Sequence, residues 1–232
     1  MSVSTHRRIV GAAAVAGLIT TGIAAVTTTA VAGSASAASC TQKSTATKSD
    51  ISTVGITYTY SKEVTATAAA GASVSYTIQF STVSPGNPYI NTISDHAPAG
   101  FPQPTVKVTA YHLGLGAQTE SVDALANGTD TWKITNAGWF VNAGNPLTAV
   151  FTYKVPSSFA IGQQITSGGV GWAGTVGSSN ELPNLTSCFT VRAPNAAEAA
   201  TGSLAANGFG SSNDGPASGG VIGSWLDQLK GS

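Results

Sequence analysis

Residues 93–101 read ISDHAPAGF, and Asp95-His96 is the one place in the chain where an acid adjoins a histidine. A carboxylate beside an imidazole suggests general acid–base work, or a hydroxyl nucleophile activated by histidine and oriented by the acid. That chemistry needs the two side chains in hydrogen-bond reach of one another. Neighbours on an extended strand point to opposite faces, so adjacency in sequence works against it. The alternative is local: the Asp95 carboxylate accepts N–H bonds from the turn that follows, Pro98 and Gly100 fix the bend, and His96 is a solvent-facing turn residue. This turn reading is the expectation carried forward.

Other candidate chemistry is sparse. His112 follows the parity of Val106, Val108 and Ala110 and marks where a strand leaves the core. No Gly-x-Ser-x-Gly elbow, His-Glu-x-x-His helix or phosphate loop occurs. Carboxylates are too scattered to propose a glycosidase pair. Asp123 to Asp130 (DALANGTD) lacks the spacing of a calcium loop and reads as an Asn-Gly hairpin turn. The sequons at Asn127 and Asn184 read as turns. The expectation is a protein that is not an enzyme, with no metal site and no cofactor.

Aromatic residues offer binding chemistry instead. Trp132, Trp139, Phe140 and Trp172 cluster in the second half among Gly and Asn turns. Exposed, they would form a stacking platform for sugars or lipids. Buried, one or two of them would fill a sandwich core.

The elements that must position these residues are strands. VGITYTY places Val54, Ile56, Tyr58 and Tyr60 on one face, and SVSYTIQF does the same for Val74, Tyr76, Ile78 and Phe80. TVKVTAYHL aligns Val106, Val108 and Ala110, and LTAVFTYKV aligns Leu147, Ala149, Phe151, Tyr153 and Val155. A period of two in β-branched and aromatic residues marks half-buried strands. Glycine, proline and asparagine turns separate them with no long helical run between. The pattern predicts an all-β, antiparallel, immunoglobulin-like β-sandwich of about eight or nine strands between residues 53 and 192. Residues 38–52 show no period.

Three segments are expected. Residues 1–37 read as a signal peptide: basic His6, Arg7 and Arg8, an uncharged run over 9–33, and Ala35-Ser36-Ala37 at the cleavage site. An uncleaved anchor, or lipidation at Cys40, are the rival readings. Residues 38–192 form the sandwich. Residues 193–232 form a flexible tail of Ala, Gly, Ser and Asn. It ends in VIGSWLDQLKGS, where Val221, Ile222, Trp225, Leu226 and Leu229 share one helical face that would need to dock on its own domain, on a partner or on a membrane; a frayed terminus is the favoured alternative.

Charge narrows the partners. Removing Arg7 and Arg8 leaves 8 basic against 10 acidic residues, a net charge of −2. Only 9% of the chain is charged, against about 25% in ordinary soluble proteins. Such a surface excludes nucleic-acid binding of the usual kind. In an exported chain the two cysteines, Cys40 and Cys188, are expected to form a disulfide closing almost the whole domain.

The strand pair around the opening motif also resembles a known family. Gly71, Val74, Tyr76 and Ile78, followed by Asp95, Pro98 and Gly100, are similar to the Gly-x-x-Val-x-Tyr-x-Ile strand and Asp-x-x-Pro-x-Gly turn of the conserved-repeat immunoglobulin-like domain of bacterial secreted and surface proteins. NAGNPLTAVFTYKVP looks like a later strand of that family. The resemblance spans about residues 53–176. It departs in having a single copy, extra length over residues 101–146, and the disulfide. It implies the sandwich fold and adhesive, stalk or spacer roles, not a chemistry.

Together these readings predict a secreted or cell-surface, non-catalytic binding or structural protein of the bacterial envelope, with an envelope or host protein or glycan as partner and no transmembrane span after signal cleavage. A carbohydrate- or lipid-binding module, or an envelope pore subunit whose Thr/Ser faces line a barrel, are the alternatives.

Overall fold

The computed structural model describes residues 40–50, 55–83, 86–174 and 178–199. The leader, and the docking segment of Val221, Ile222, Trp225, Leu226 and Leu229, lie outside them. The fold is all-β and overwhelmingly antiparallel. In chain order the strands are β1 (Lys43–Asp50), β2 (Ile56–Val64), β3 (Thr67–Ala69), β4 (Ser73–Thr82), β5 (Tyr89–His96), β6 (Thr105–His112) and β7 (Gly116–Val122). They continue with β8 (Leu125–Ala126), β9 (Thr131–Phe140), β10 (Leu147–Lys154), β11 (Gln164–Thr166), β12 (Val170–Gly174), β13 (Ser179–Leu182) and β14 (Cys188–Arg192).

The long strands follow the order β1-β2-β4-β10-β6-β9-β5-β12-β13. The link between β6 and β9 is a single pair, Tyr111 with Phe140. The sheet folds over at that link into two layers, with β2, β4, β10 and β6 facing β9, β5 and β12. Cross-layer contacts prove the facing: Trp172 of β12 lies 4.9 Å from the Tyr58 ring and 6.1 Å from the Tyr60 ring of β2. Lys48 of β1 donates to Asn180 of β13 at 2.7 Å, joining the two free edges. A small sheet, β11-β14-β3, adds to this body, and its β14–β3 pairing is parallel.

The alternation predicted from sequence sets the core. Tyr58, Tyr60, Val74, Tyr76, Ile78, Phe80, Val106, Val108, Leu147, Phe151 and Tyr153 are all buried. Their Thr and Ser neighbours, Thr57, Thr59, Ser75, Thr77 and Ser81, lie on the other face and are half-buried. Those hydroxyl faces lie on the opposite side of the strands from the buried apolar row.

Two expectations are corrected. Between residues 53 and 192 the described residues hold thirteen strands, not eight or nine, because short pairings such as β3, β8, β11 and β13 carry too few residues to show a period. Residues 43–50 were expected to be aperiodic, and they form β1. This edge strand is paired along its whole length with β2 through backbone bonds that need no apolar pattern.

The disulfide expected between Cys40 and Cys188 is present, with Cα atoms 5.0 Å apart and a sequence separation of 148. At the far end, residues 196–199 form one helical turn. Asn195 caps it by accepting the Glu198 N–H at 2.9 Å, while Glu198 accepts the Asn195 N–H at 2.8 Å. The bidentate Arg192 guanidinium, helped by that Asn195 N–H, holds the Glu198 carboxyl down to about 2.

The disulfide fixes the start of the described chain to β14, so its loss falls on the whole domain. Cys40→Ser is expected to lower unfolding stability by about 2–5 kcal/mol, read as a shift in the urea midpoint. The same shift should follow reduction of the unaltered protein.

Candidate functional site

The Asp-His motif closes β5, and parity divides its two members. Ile93 and Asp95 point inward, and His96 points to the edge. Asp95 is completely buried, which corrects the expectation that it caps the following turn. The turn carboxylate is Asp130, whose Oδ1 accepts the Gly100 N–H at 3.0 Å. Asp130 reaches that position from the β8–β9 hairpin with a φ of 52°.

The partner of Asp95 is Lys62. Residue 62 follows Tyr58 and Tyr60 in the inward row of β2, so its ammonium is delivered to the interior. Lys62 Nζ lies 2.6 Å from Asp95 Oδ1, with both side chains fully buried. Tyr153 of β10 donates its hydroxyl to Asp95 Oδ2 at 2.6 Å. The ammonium also donates to the Gly168 carbonyl at 2.9 Å, with the His96 and Gly169 carbonyls at 3.4 Å, and it sits 5.2 Å from the centroid of the Tyr76 ring. The donors and acceptors of the ion pair are thus engaged by three strands and the loop before β12.

That loop needs glycine. A Cβ on Gly168 would come within 2.6 Å of His96 Cβ, and one on Gly169 would collide with the Leu182 carbonyl. Only residues without a side chain let the two carbonyls approach the ammonium.

Burial and charge perturb the group together. Burial lowers the Lys62 pKa, and Asp95 opposes the shift by charge and hydrogen bond. Burial, reinforced by the Asp95 charge, pushes Tyr76 and Tyr153 far above the usual tyrosine range. The arrangement suits a fixed ionic tie. Both charged side chains are fully buried.

His96 has a different carboxylate from the one beside it. Its Nε2 lies 3.1 Å from Glu181 Oε2 on β13, and its Nδ1 lies 3.1 Å from Thr131 Oγ1 on β9. The expectation of a free turn residue is corrected: the ring is half-buried and tied on both nitrogens. The row Glu181–His96–Thr131 has the connectivity of an acid, a base and a hydroxyl. Thr131 is buried, however, and its hydroxyl also faces the Thr129 carbonyl at 3.2 Å. Sequence reasoning missed Lys62, Glu181 and Thr131, although the inward parity of Lys62 and Asp95 on two apolar strands was a usable signal.

The aromatic candidates are separated. Trp172 is core, against Tyr58 and Tyr60. Trp139 is buried, with its Nε1 donating to Glu120 at 2.6 Å. Trp132 is half-buried against the core. Phe140 alone stands in an open aromatic row. Register sets Tyr89 of β5 and Tyr111 of β6 on either side of it, with centroids 5.7 Å away and rings tilted by 70° and 47°. Burial of Trp139 and Trp172 matches the core-filling reading, and in place of an exposed tryptophan platform the open aromatic surface is a tilted Tyr-Phe-Tyr row, because the large flat indoles gain more by burial than by display. Beside the row lies a recess of about 250 Å³ lined by Tyr89, Tyr111, His112, Leu113, Trp139 and Phe140. No group of three or more metal-ligating side chains occurs among the described residues, and no helix among them is long and apolar enough to cross a membrane.

No protein-family model and no curated protein matches the chain. Among solved structures it is similar to the KRT10-binding region domain of the pneumococcal serine-rich repeat protein PsrP, at 15% identity and a TM-score of 0.41, covering 64% of this chain and 95% of that one. It is similar to a putative membrane-anchored protein from Corynebacterium diphtheriae at 13% identity and a TM-score of 0.38, covering 66% and 36%. It is also similar to BcpA, the major pilin subunit of Bacillus cereus, at 10% identity and a TM-score of 0.37, covering 58% and 40%.

Removing one charge of the pair strands the other. Asp95→Ala is expected to cost about 3–5 kcal/mol of stability. The double variant Lys62→Met/Asp95→Leu should cost clearly less than the two single losses summed, as a double-mutant cycle by urea unfolding would show.

The tyrosines carry a pH consequence. Their folded pKa values lie above the unfolded value near 10, so they contribute stability that is complete below about pH 10 and lost as the pH rises further. Alkaline titration followed by tyrosinate absorbance and circular dichroism should show Tyr76 and Tyr153 ionising only as the fold is lost. Tyr153→Phe should remove its own share of that alkaline sensitivity.

Proposed function

We propose that the chain is a secreted or cell-surface, non-catalytic binding or structural module of a bacterial envelope that engages an envelope or host component. One observation carries the reading: Asp95, the acid of the Asp-His motif, is consumed by Lys62 as a buried tie between the two layers. The group best suited to chemistry thus holds the fold together. The signal-like leader, the disulfide and the sparse charge fit an exported module, and the resemblance of the strand and turn motifs to the conserved-repeat immunoglobulin-like domain supports the same role.

A second reading rests on the Glu181–His96–Thr131 row, which has the connectivity of an acyl-transfer site. It is less favoured because the Thr131 hydroxyl is buried and already engaged. The carbohydrate-binding alternative is weakened by the burial of Trp139 and Trp172 and by the tilt of the remaining aromatic row.

A pull-down from envelope extract with the mature chain is expected to capture a specific envelope or host component, and His96→Ala should leave that capture unchanged. Failure to capture any component would count against the binding role. Covalent labelling by a serine/threonine-hydrolase probe that is lost in both His96→Ala and Thr131→Val would replace it with the acyl-transfer reading.

A further inference from the structure

The buried pair of Lys62 and Asp95 is more than two opposite charges. It is an amine and a carboxyl group in contact, the two halves of an amide. In water both ions are well solvated and do not condense. Here both side chains are fully buried. The ionic reactants have lost their hydration and are raised in energy, whereas a neutral amide in the same place would carry no such cost.

The neighbours sort the reacting atoms. Three backbone carbonyls stand around Nζ, that of Gly168 at 2.9 Å and those of His96 and Gly169 at 3.4 Å. Carbonyls only accept, so they draw N–H bonds toward themselves. The rest of the nitrogen is left to the carboxyl group, 2.6 Å away at Oδ1, and the carboxyl carbon is one bond beyond that oxygen. Burial favours the neutral amine, the form that carries the nucleophilic lone pair.

The two carboxyl oxygens also differ. Oδ2 accepts the Tyr153 hydroxyl at 2.6 Å. Oδ1 is buried with no hydrogen-bond donor besides the lysine it touches. Aromatic rings wall the group: Tyr76 lies 5.2 Å from Nζ, Tyr153 packs edge-on against Tyr76 at 5.9 Å, and Phe101 packs against Tyr153 at 5.7 Å.

We propose that Lys62 and Asp95 condense within the folded chain to an amide joining Nζ to Cγ. A proton passes from the ammonium to Oδ1 inside the pair, and the freed lone pair attacks Cγ. As the Nζ–Cγ bond forms, negative charge gathers on Oδ2, where the Tyr153 hydroxyl already donates. The Cγ–Oδ1 bond then breaks, a second proton moves from nitrogen to that oxygen, and Oδ1 leaves as water. Two hydrogens of the ammonium depart with the oxygen and one stays on the amide. The opposite charges cancel, and no oxidant, reductant or outside co-reactant is needed. The product keeps the partners of the reactants. Its N–H donates to the Gly168 carbonyl and its carbonyl accepts from Tyr153, so no polar group is stranded. The bond joins β2 to β5 across the two layers, whereas the disulfide ties the start of the described chain to β14. It forms once per chain, acts on no outside substrate, and does not depend on the envelope-module reading.

The test is the intact mass of the mature chain, reduced and denatured, together with peptide mapping. The expected mass is that of the sequence less one water, with a branched peptide joining the stretch that holds Lys62 to the one that holds Asp95. Lys62→Met/Asp95→Leu removes both reacting groups together and should show its full sequence mass. Tyr153→Phe keeps the ring and should condense about a hundredfold more slowly. That rate is read as the condensed fraction against time after cell-free synthesis, with circular dichroism confirming that each variant folds. Full sequence mass in the folded, unaltered protein after prolonged incubation at neutral pH would overturn the proposal. So would a water lost elsewhere, as in a succinimide at Asp214-Gly215, with Lys62 and Asp95 recovered in separate linear peptides.

Discussion

The ion pair between Lys62 and Asp95 is the constraint on which this structure turns. Two charges taken wholly out of water cost several kcal/mol each, and only close geometry with satisfied neighbours recovers that. Here the neighbours come from everywhere at once. Lys62 belongs to β2, Asp95 to β5, the phenol that bonds the carboxylate to β10, and the carbonyls around the ammonium to the end of β5 and the loop before β12. Each must be in register for the charges to be tolerated. A slip of one residue on β2 or β5 would turn a charge outward and its partner would be left alone. The pair thus specifies one alignment of the two layers, a role that generic apolar packing fills less sharply.

Around that centre the perimeter is closed by several modest devices. Cys40–Cys188 ties the start of the described chain to β14. Lys48 reaches from β1 to Asn180 on β13, and the single Tyr111–Phe140 pair is the fold line at which one layer becomes the other. Gly168 and Gly169 are the cost of the arrangement. They make the loop before β12 thin enough to reach the ammonium, and they leave it no side chain of its own to pack.

The same division of labour explains why the polar residues carry so little visible chemistry. Where a charge enters the interior, it is spent on alignment. Where aromatic rings are largest, as at Trp139 and Trp172, they are spent on the core. What remains at the surface includes a tilted Tyr-Phe-Tyr row and a histidine held by Glu181 and Thr131.

The sequence by itself determined the fold class, the inward rows of β2, β4, β6 and β10, and the disulfide. All of these depend on period two or on the number of cysteines, and both are properties of short stretches or of simple counting. It left Asp95 as a turn residue, because a local reading offers it only local donors. The lysine that claims it stands 33 positions earlier, and only the stacking of one layer on the other brings them to 2.6 Å. The tertiary structure likewise decided which indoles were buried and that His96 answers to Glu181 and not to its neighbour. Burial and long-range pairing are properties of the assembled layers. No window of adjacent residues contains them.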